Sequence, residues 1–148
     1  MKVKELKNEI LAQHHMLRAL LVDLGDVAQK VAEGDVSCEQ VLREAAHQLA
    51  HALVRHMADE ERILEQLSRE GHAPSAEHLA EFQHNHVHQR EMLVSFNTRI
   101  ESVHATRRLG EIVQALTHSV TLDMEHEELA IFGKPSFTPA SRPVSQFA

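Results

Sequence analysis

His56 and Glu60 lie four residues apart in LAHALVRHMADEERILEQL, a stretch whose other inward positions are apolar. The stripe runs through Leu42, Ala46, Leu49, Leu53, Ile63 and Leu67, and both polar residues fall on it. A neutral imidazole and a carboxylate on the core-facing side of a helix cost free energy unless something pairs with them. A metal ion would do so. Histidine is abundant, at 13 in 148 residues, so other segments could supply further ligands.

Three other segments offer them. His14 falls in the stripe Val3, Leu6, Ile10, His14, Leu17, Leu21, Leu24, Ala28 and Val31, whereas the adjacent His15 does not. A third segment carries His84-x-x-x-His88, and a fourth carries His118-x-x-x-x-Asp123. A step of four puts two side chains about 40° apart on one helix face, so both can reach one centre. Imidazole suits iron, copper, zinc and nickel, and carboxylates can bridge two ions. His14, His56, Glu60, His84, His88, His118 and Asp123 exceed the needs of one tetrahedral zinc and suit a pair of ions. The step of five in the last segment spans about 140°. His118 and Asp123 would then straddle the sector of Ala115, Ser119, Leu122 and His126, unless a local bulge re-phases the helix. In the third segment the stripe of Phe82, Leu93, Phe96 and Ile100 passes nearer His86 and Gln89 than His84, so His86 competes with the His84–His88 pair. His86 and His126 stay open as ligands or supporting residues. His15, His47, His51, His72, His78 and His104 read as solvated or boundary residues.

These side chains need helices to position them. Hydrophobic residues make up 43% of the chain but aromatics only 3%, with no Trp or Tyr, so aliphatic residues must fill the interior. That composition suits packed helices better than a sheet. The first helical pattern covers residues 3–33 and closes at Gly34. Ser37 with Gln40 reads as a capping box opening a second helix, which runs to Glu70 and closes at Gly71. Pro74 marks the next turn, and Ser75 reads as the N-cap of a third helix carrying Leu79, Phe82, Val87, Met92, Phe96, Ile100 and Val103. A break near Thr106 to Gly110 separates a fourth helix, Leu109 to Phe132, ending at Gly133. The expected fold is all-α, an up-down-up-down four-helix bundle over residues 1–133, followed by an irregular tail, 134–148, rich in proline. A net charge of −7 argues against nucleic-acid and anionic-membrane partners. The single cysteine, Cys38, excludes an internal disulfide and a Cys-based zinc site. Without a signal core or a spanning apolar run, the chain reads as cytoplasmic.

The ordered set of spacings resembles the hemerythrins: one His on the first helix, HxxxE on the second, HxxxH on the third and HxxxxD on the fourth. The resemblance spans roughly residues 10 to 132, and HHMLRALLVDL, RHMADEERIL and HSVTLDMEHEELAIF look like the family's helices. It implies two non-haem iron ions with a bridging oxo or hydroxo group. By analogy His84, His88 and His118 hold one iron, His14 and His56 hold the other, and Glu60 and Asp123 bridge them. Dioxygen would bind reversibly at an open position, for storage, delivery or sensing. Glu91, where the family usually has an apolar residue, is a departure. The absence of Trp and Tyr makes a bacterial-type relative the closer comparison. The alternatives are a ferritin-like di-iron oxidase or peroxidase, a nitric oxide-handling protein, and a His-rich interaction module without cofactor. Glu44-x-x-His47, Glu81-x-x-His84 and Glu101-x-x-His104 match the ferritin-like spacing, but Glu44 and His47 lie off their stripe and the fourth helix has no such pair.

Overall fold

A computed structural model describes residues 2–72 and 74–133. Four helices make up the described chain: α1 (Lys2–Ala32), α2 (Glu39–Arg69), α3 (Ala76–Ser102) and α4 (Thr106–Phe132). A 3-10 turn, Val36–Cys38, precedes α2, and no strand occurs among the described residues. Short connections force sequence neighbours to pack antiparallel, and α1 closes the bundle against α4, giving the expected up-down-up-down arrangement. No described helix is long and apolar enough to cross a membrane. The expected tail, 134–148, lies outside the described residues.

The helix ends follow local chemistry. At Gly34 and Gly71 the backbone turns to positive φ, 104° and 76°, a region L side chains avoid. There the amides of Asp35 and His72 reach back to the carbonyls of Lys30 and Leu67 at 3.0 and 2.8 Å, closing both helices. Ser75 caps α3, its side chain accepting from the His78 amide at 3.2 Å. The capping box expected at Ser37 and Gln40 does not form. The Asp35 side chain takes the Ser37 amide at 3.0 Å and its hydroxyl at 2.5 Å, an Asx-type turn that starts the 3-10 segment instead. Gln40 is left to donate to Glu44 at 3.0 Å.

The break before α4 is at Val103–Ala105, so α4 begins three residues before Leu109 and contains Gly110. Arg43 of α2 stabilises this break by donating to the carbonyls of Ile100 and Val103, which the end of α3 leaves unpaired. Gly110 is a packing device, not a terminator. A Cβ there would stand 2.2 Å from the Ala32 amide nitrogen and 2.6 Å from the Ala28 carbonyl oxygen, so its absence lets α1 and α4 backbones meet.

Two apolar clusters fill the bundle. The larger joins Leu17–Val31 of α1, Leu42–Met57 of α2, Leu93–Ile100 of α3 and Leu109–Met124 of α4. The smaller gathers Leu6, Ile10, Ile63, Leu64, Leu67, Phe82 and Ile131 at the other end. Between them every helix contributes polar side chains: His14, His56 and Glu60, His86 and Gln89, and Glu127 and Glu128, all buried. The antiparallel order brings these four positions to one level.

Gly110→Ala should lower the stability of the bundle by about 1–3 kcal/mol, because the clash is with backbone and the helices must separate. Urea unfolding measures it. An unchanged midpoint would contradict the close approach of α1 and α4.

Candidate metal centre

His14 lies on the buried face of α1 because the stripe at steps of three and four carries it there, and the ring is 0% exposed. His15, about 100° further round, points to solvent. On α2, His56 and Glu60 occupy successive turns of the same face. The buried face of α3 runs Phe82, His86, Gln89, Leu93, Phe96 and Ile100. The buried face of α4 runs through Leu116, Val120 and Met124 to Glu127, Glu128 and Ile131.

The donor atoms converge. One ring nitrogen or carboxylate oxygen from each of His14, His56, Glu60 and Glu127 lies within 4.8 Å of all the others. Nε2 of His14 is 3.1 Å from Nε2 of His56 and 3.1 Å from Oε2 of Glu60. His86 closes the group from α3, its Nε2 lying 3.0 Å from Oε1 of Glu60 and 3.3 Å from Oε2 of Glu127. Oε1 of Glu127 is 3.3 Å from Nε2 of His14. Each of these two carboxylates therefore gives one oxygen to the His14 side of the site and the other to the His86 side.

The far ring nitrogens are turned outward. Nδ1 of His14 donates to Oε2 of Glu128 at 2.8 Å. Nδ1 of His56 donates to the Gln13 side-chain oxygen at 2.7 Å, and Gln13 donates in turn to Asp59 at 3.3 Å. A ring that gives its Nδ1 proton away presents the Nε2 lone pair to the cluster, the form a metal binds. Nδ1 of His86 has no hydrogen-bond partner among the described residues, and Oε2 of Glu61 stands 3.8 Å away.

Protons hold the cluster together in the absence of a cation. Burial alone would lower the pKa of His14, but the carboxylates of Glu127, Glu128 and Glu60 outweigh it and raise the value to about 11. His86 is likewise desolvated, yet Glu127 and Glu60 raise it to about 9. Burial pushes the Glu60 carboxyl up, while hydrogen bonds from His14, His56 and His86 hold it well below the usual carboxylate range. A divalent cation can replace these protons, since imidazole nitrogens and carboxylate oxygens are ordinary donors for it. The residues fit a metal cation.

The structure brings together His14, His56 and Glu60 of the expected set and places the rest elsewhere. His84 and His88 are exposed, each two residues and so about 200° from His86. His118 is exposed as well, two residues from both Leu116 and Val120. Asp123 is half-buried and accepts from Gln89 at 2.6 Å. From α4 it is Glu127, not Asp123, that reaches both His14 and His86, and His86 is the ring that α3 contributes. His126 faces outward, beside Leu129 and Ala130 in a shallow groove with His84. Glu127 is missing from the set expected from sequence, although it stands four residues after Asp123, as Glu60 does after His56. Following the α4 stripe from Leu116 and Val120 leads to it.

The pH response of the metal-free protein comes from the raised imidazoles. Both rings gain their partners only in the folded state, so their contribution is complete below the ordinary value of 6.5. It declines as pH rises through about 9 for His86 and about 11 for His14. Glu60, whose pKa is depressed, contributes stability that is lost only when acid protonates it. Chelator-treated protein should therefore melt at progressively lower temperature as pH rises from neutral into this alkaline range. A melting temperature that stays flat there would rule out the protonated cluster.

No curated protein and no solved structure gives a significant match to the chain. A family model does: the hemerythrin HHE cation-binding domain matches residues 6–134, a span that includes every residue of the cluster. With a converging His and Glu cluster on four helices and a match over most of its length, the chain belongs to the hemerythrin HHE cation-binding domain family.

Proposed function

We propose that this protein holds two non-haem iron ions in the polar layer of the bundle and takes up dioxygen there. The observation that carries this reading is the placement of Glu60 and Glu127. Each turns one oxygen toward His14 and the other toward His86, as carboxylates that bridge two cations must. On this reading His14 and His56 hold one ion and His86 holds the other, with Glu60 and Glu127 shared. Asp123, one turn before Glu127 as His56 is one turn before Glu60, would complete the second position on parting from Gln89. Bound ferrous ions would supply the electrons for O2; the chain supplies orientation and dryness. His14 and Glu60 are 0% exposed and His86 is 1% exposed. Apolar clusters lie on both sides of the layer. Limited access of bulk water protects a reduced centre from side reactions.

One observation favours a second outcome of O2 uptake. The buried donors comprise three imidazoles, His14, His56 and His86, and two carboxylates, Glu60 and Glu127, and Asp123 would add a third, a set richer in oxygen than the His-dominated one of the family analogy. Hard anionic donors stabilise ferric iron, and that supports consumption of O2 as in oxidases rather than its release.

Anaerobic reconstitution with ferrous iron, followed by optical titration with O2, tests both readings. A charge-transfer band that forms with O2 and disappears on deoxygenation establishes reversible binding. A band that does not reverse, with O2 consumed, establishes oxidation. Iron content near zero after reconstitution rejects the di-iron proposal. His86→Ala and Glu127→Ala should each lower iron content by about half or more. His84→Ala, His88→Ala and His118→Ala should leave it unchanged, and the opposite pattern would restore the HxxxH ligands.

A further inference from the structure

The polar layer has an outer rim built twice on one plan. Arg18 follows His14 by four residues on α1, and Arg90 follows His86 by four on α3. Glu61 directly follows Glu60 on α2, and Glu128 directly follows Glu127 on α4. A step of four keeps each arginine on the face of its histidine, and a step of one turns the second glutamate of each pair about 100° from the first. Glu60 and Glu127 thus enter the cluster, while Glu61 and Glu128 pass outside the imidazoles.

At the α1–α4 side the outer groups are closely joined. Arg18 grips Glu128 with two guanidinium nitrogens, Nη1 to Oε2 at 2.7 Å and Nη2 to Oε1 at 2.8 Å. The same Oε2 accepts from Nδ1 of His14 at 2.8 Å. Glu128 is 0% exposed and Arg18 is 19% exposed, so solvent offers no competing partner to the carboxylate. A planar two-point grip fixes the plane of the carboxylate, and the carboxylate in turn fixes the rotation of the ring. At the α2–α3 side Arg90 pairs with Glu61, but these groups are 40% and 42% exposed, and Oε2 of Glu61 is 3.8 Å from Nδ1 of His86.

We propose that Arg18 and Glu128 are a positioning pair that holds His14 with Nε2 toward the cations, and that Arg90 and Glu61 serve His86 from the matching place but more weakly. The proposal rests on the metal-site reading above. Neither glutamate is placed to touch a cation; Glu128 acts through His14 by fixing its tautomer and orientation, and Glu61 acts on His86 by its charge across 3.8 Å. The unequal burial of the two pairs makes the His14 half of the site the better pre-organised one.

The test uses Zn2+ as a diamagnetic probe on the full chain, with affinity measured by competition against a chromophoric chelator. Arg18→Gln and Glu128→Gln should each weaken binding about ten- to a hundredfold, the range seen when partners of metal-bound histidines are removed. Arg18→Lys should recover part of the loss, and Glu61→Gln should cost only a few-fold. In the Zn2+-loaded protein, nitrogen-15 NMR should find a slowly exchanging Nδ1 proton on His14 that Glu128→Gln abolishes. A structural role alone would lower the melting temperature of the metal-free variants and leave this proton and the affinity in place. Should Glu128→Gln not fold, Arg18→Gln decides, because it alters the more exposed partner and leaves the carboxylate present. Variants that fold and bind Zn2+ like the parent overturn the positioning role alone. A parent chain that binds neither Zn2+ nor ferrous iron overturns the metal-site reading on which it rests. Equal losses in Glu61→Gln and Glu128→Gln overturn the ranking of the two pairs.

Discussion

Carboxylates and imidazoles buried between two apolar clusters must be neutralised, and the rest of this bundle is arranged around that requirement. Glu60 and Glu127 are 0% and 4% exposed, so water cannot solvate them. Without a cation, protons on His14 and His86 meet the need, and those imidazoles are accordingly held charged well above their ordinary range. Replacing them with metal ions satisfies the same charges with donors that are already in place. Few neutral core arrangements would retain so many ionisable groups, because a well-packed apolar layer is often as stable as a buried ion network or more so.

The layer needs four helices in register, and several local devices set that register. Arg43 anchors the end of α3 to α2 by its carbonyls. Gly110 lets α4 approach α1 backbone to backbone beside Ala28 and Ala32, and further along the same pair of helices Glu127 and Glu128 reach His14 directly. Arg18 then ties the same two helices across the layer. The α1–α4 contact is thus both the closest packing in the bundle and the better organised side of the candidate centre. Stability and site geometry share the same residues there.

Helices α1 and α2 were legible because their stripes are uninterrupted. In α2 the apolar positions on either side of His56 and Glu60 agree on one phase, and in α1 Ile10 and Leu17 bracket His14. The phase of α3 was harder to read. Val87 and Val94 are 56% and 71% exposed, so apolar residues lie on both faces and weaken the stripe of Phe82, Leu93, Phe96 and Ile100 that passes nearer His86. In α4, Leu122 and Leu129 are exposed as well, at 40% and 45%, which blurs the same distinction. The seven-position match to the family spacing outweighed the α3 stripe, since His84 and His88 do have the right separation. Their separation is right and their direction is wrong. The missed cap at Ser37 has a different origin: Asp35 competes for the same amide from two residues away.

By itself the sequence determined four amphipathic helices, their closure at Gly34, Gly71 and Gly133, and the inward direction of His14, His56 and Glu60. Those features arise from period, capping and the cost of burying polar groups, all of which act within one segment. The tertiary structure decided between the His86 face, which the α3 stripe favours, and the His84–His88 pair, which the family spacing favours. It also decided that Glu127 shares the layer with Glu60, and that Glu128 stands behind His14. These depend on which neighbouring helix each face meets, because a helix with apolar residues on both sides can bury either. Contact with α2 and α4 selects the His86 face of α3, since only that face brings a ring nitrogen to two carboxylates at once.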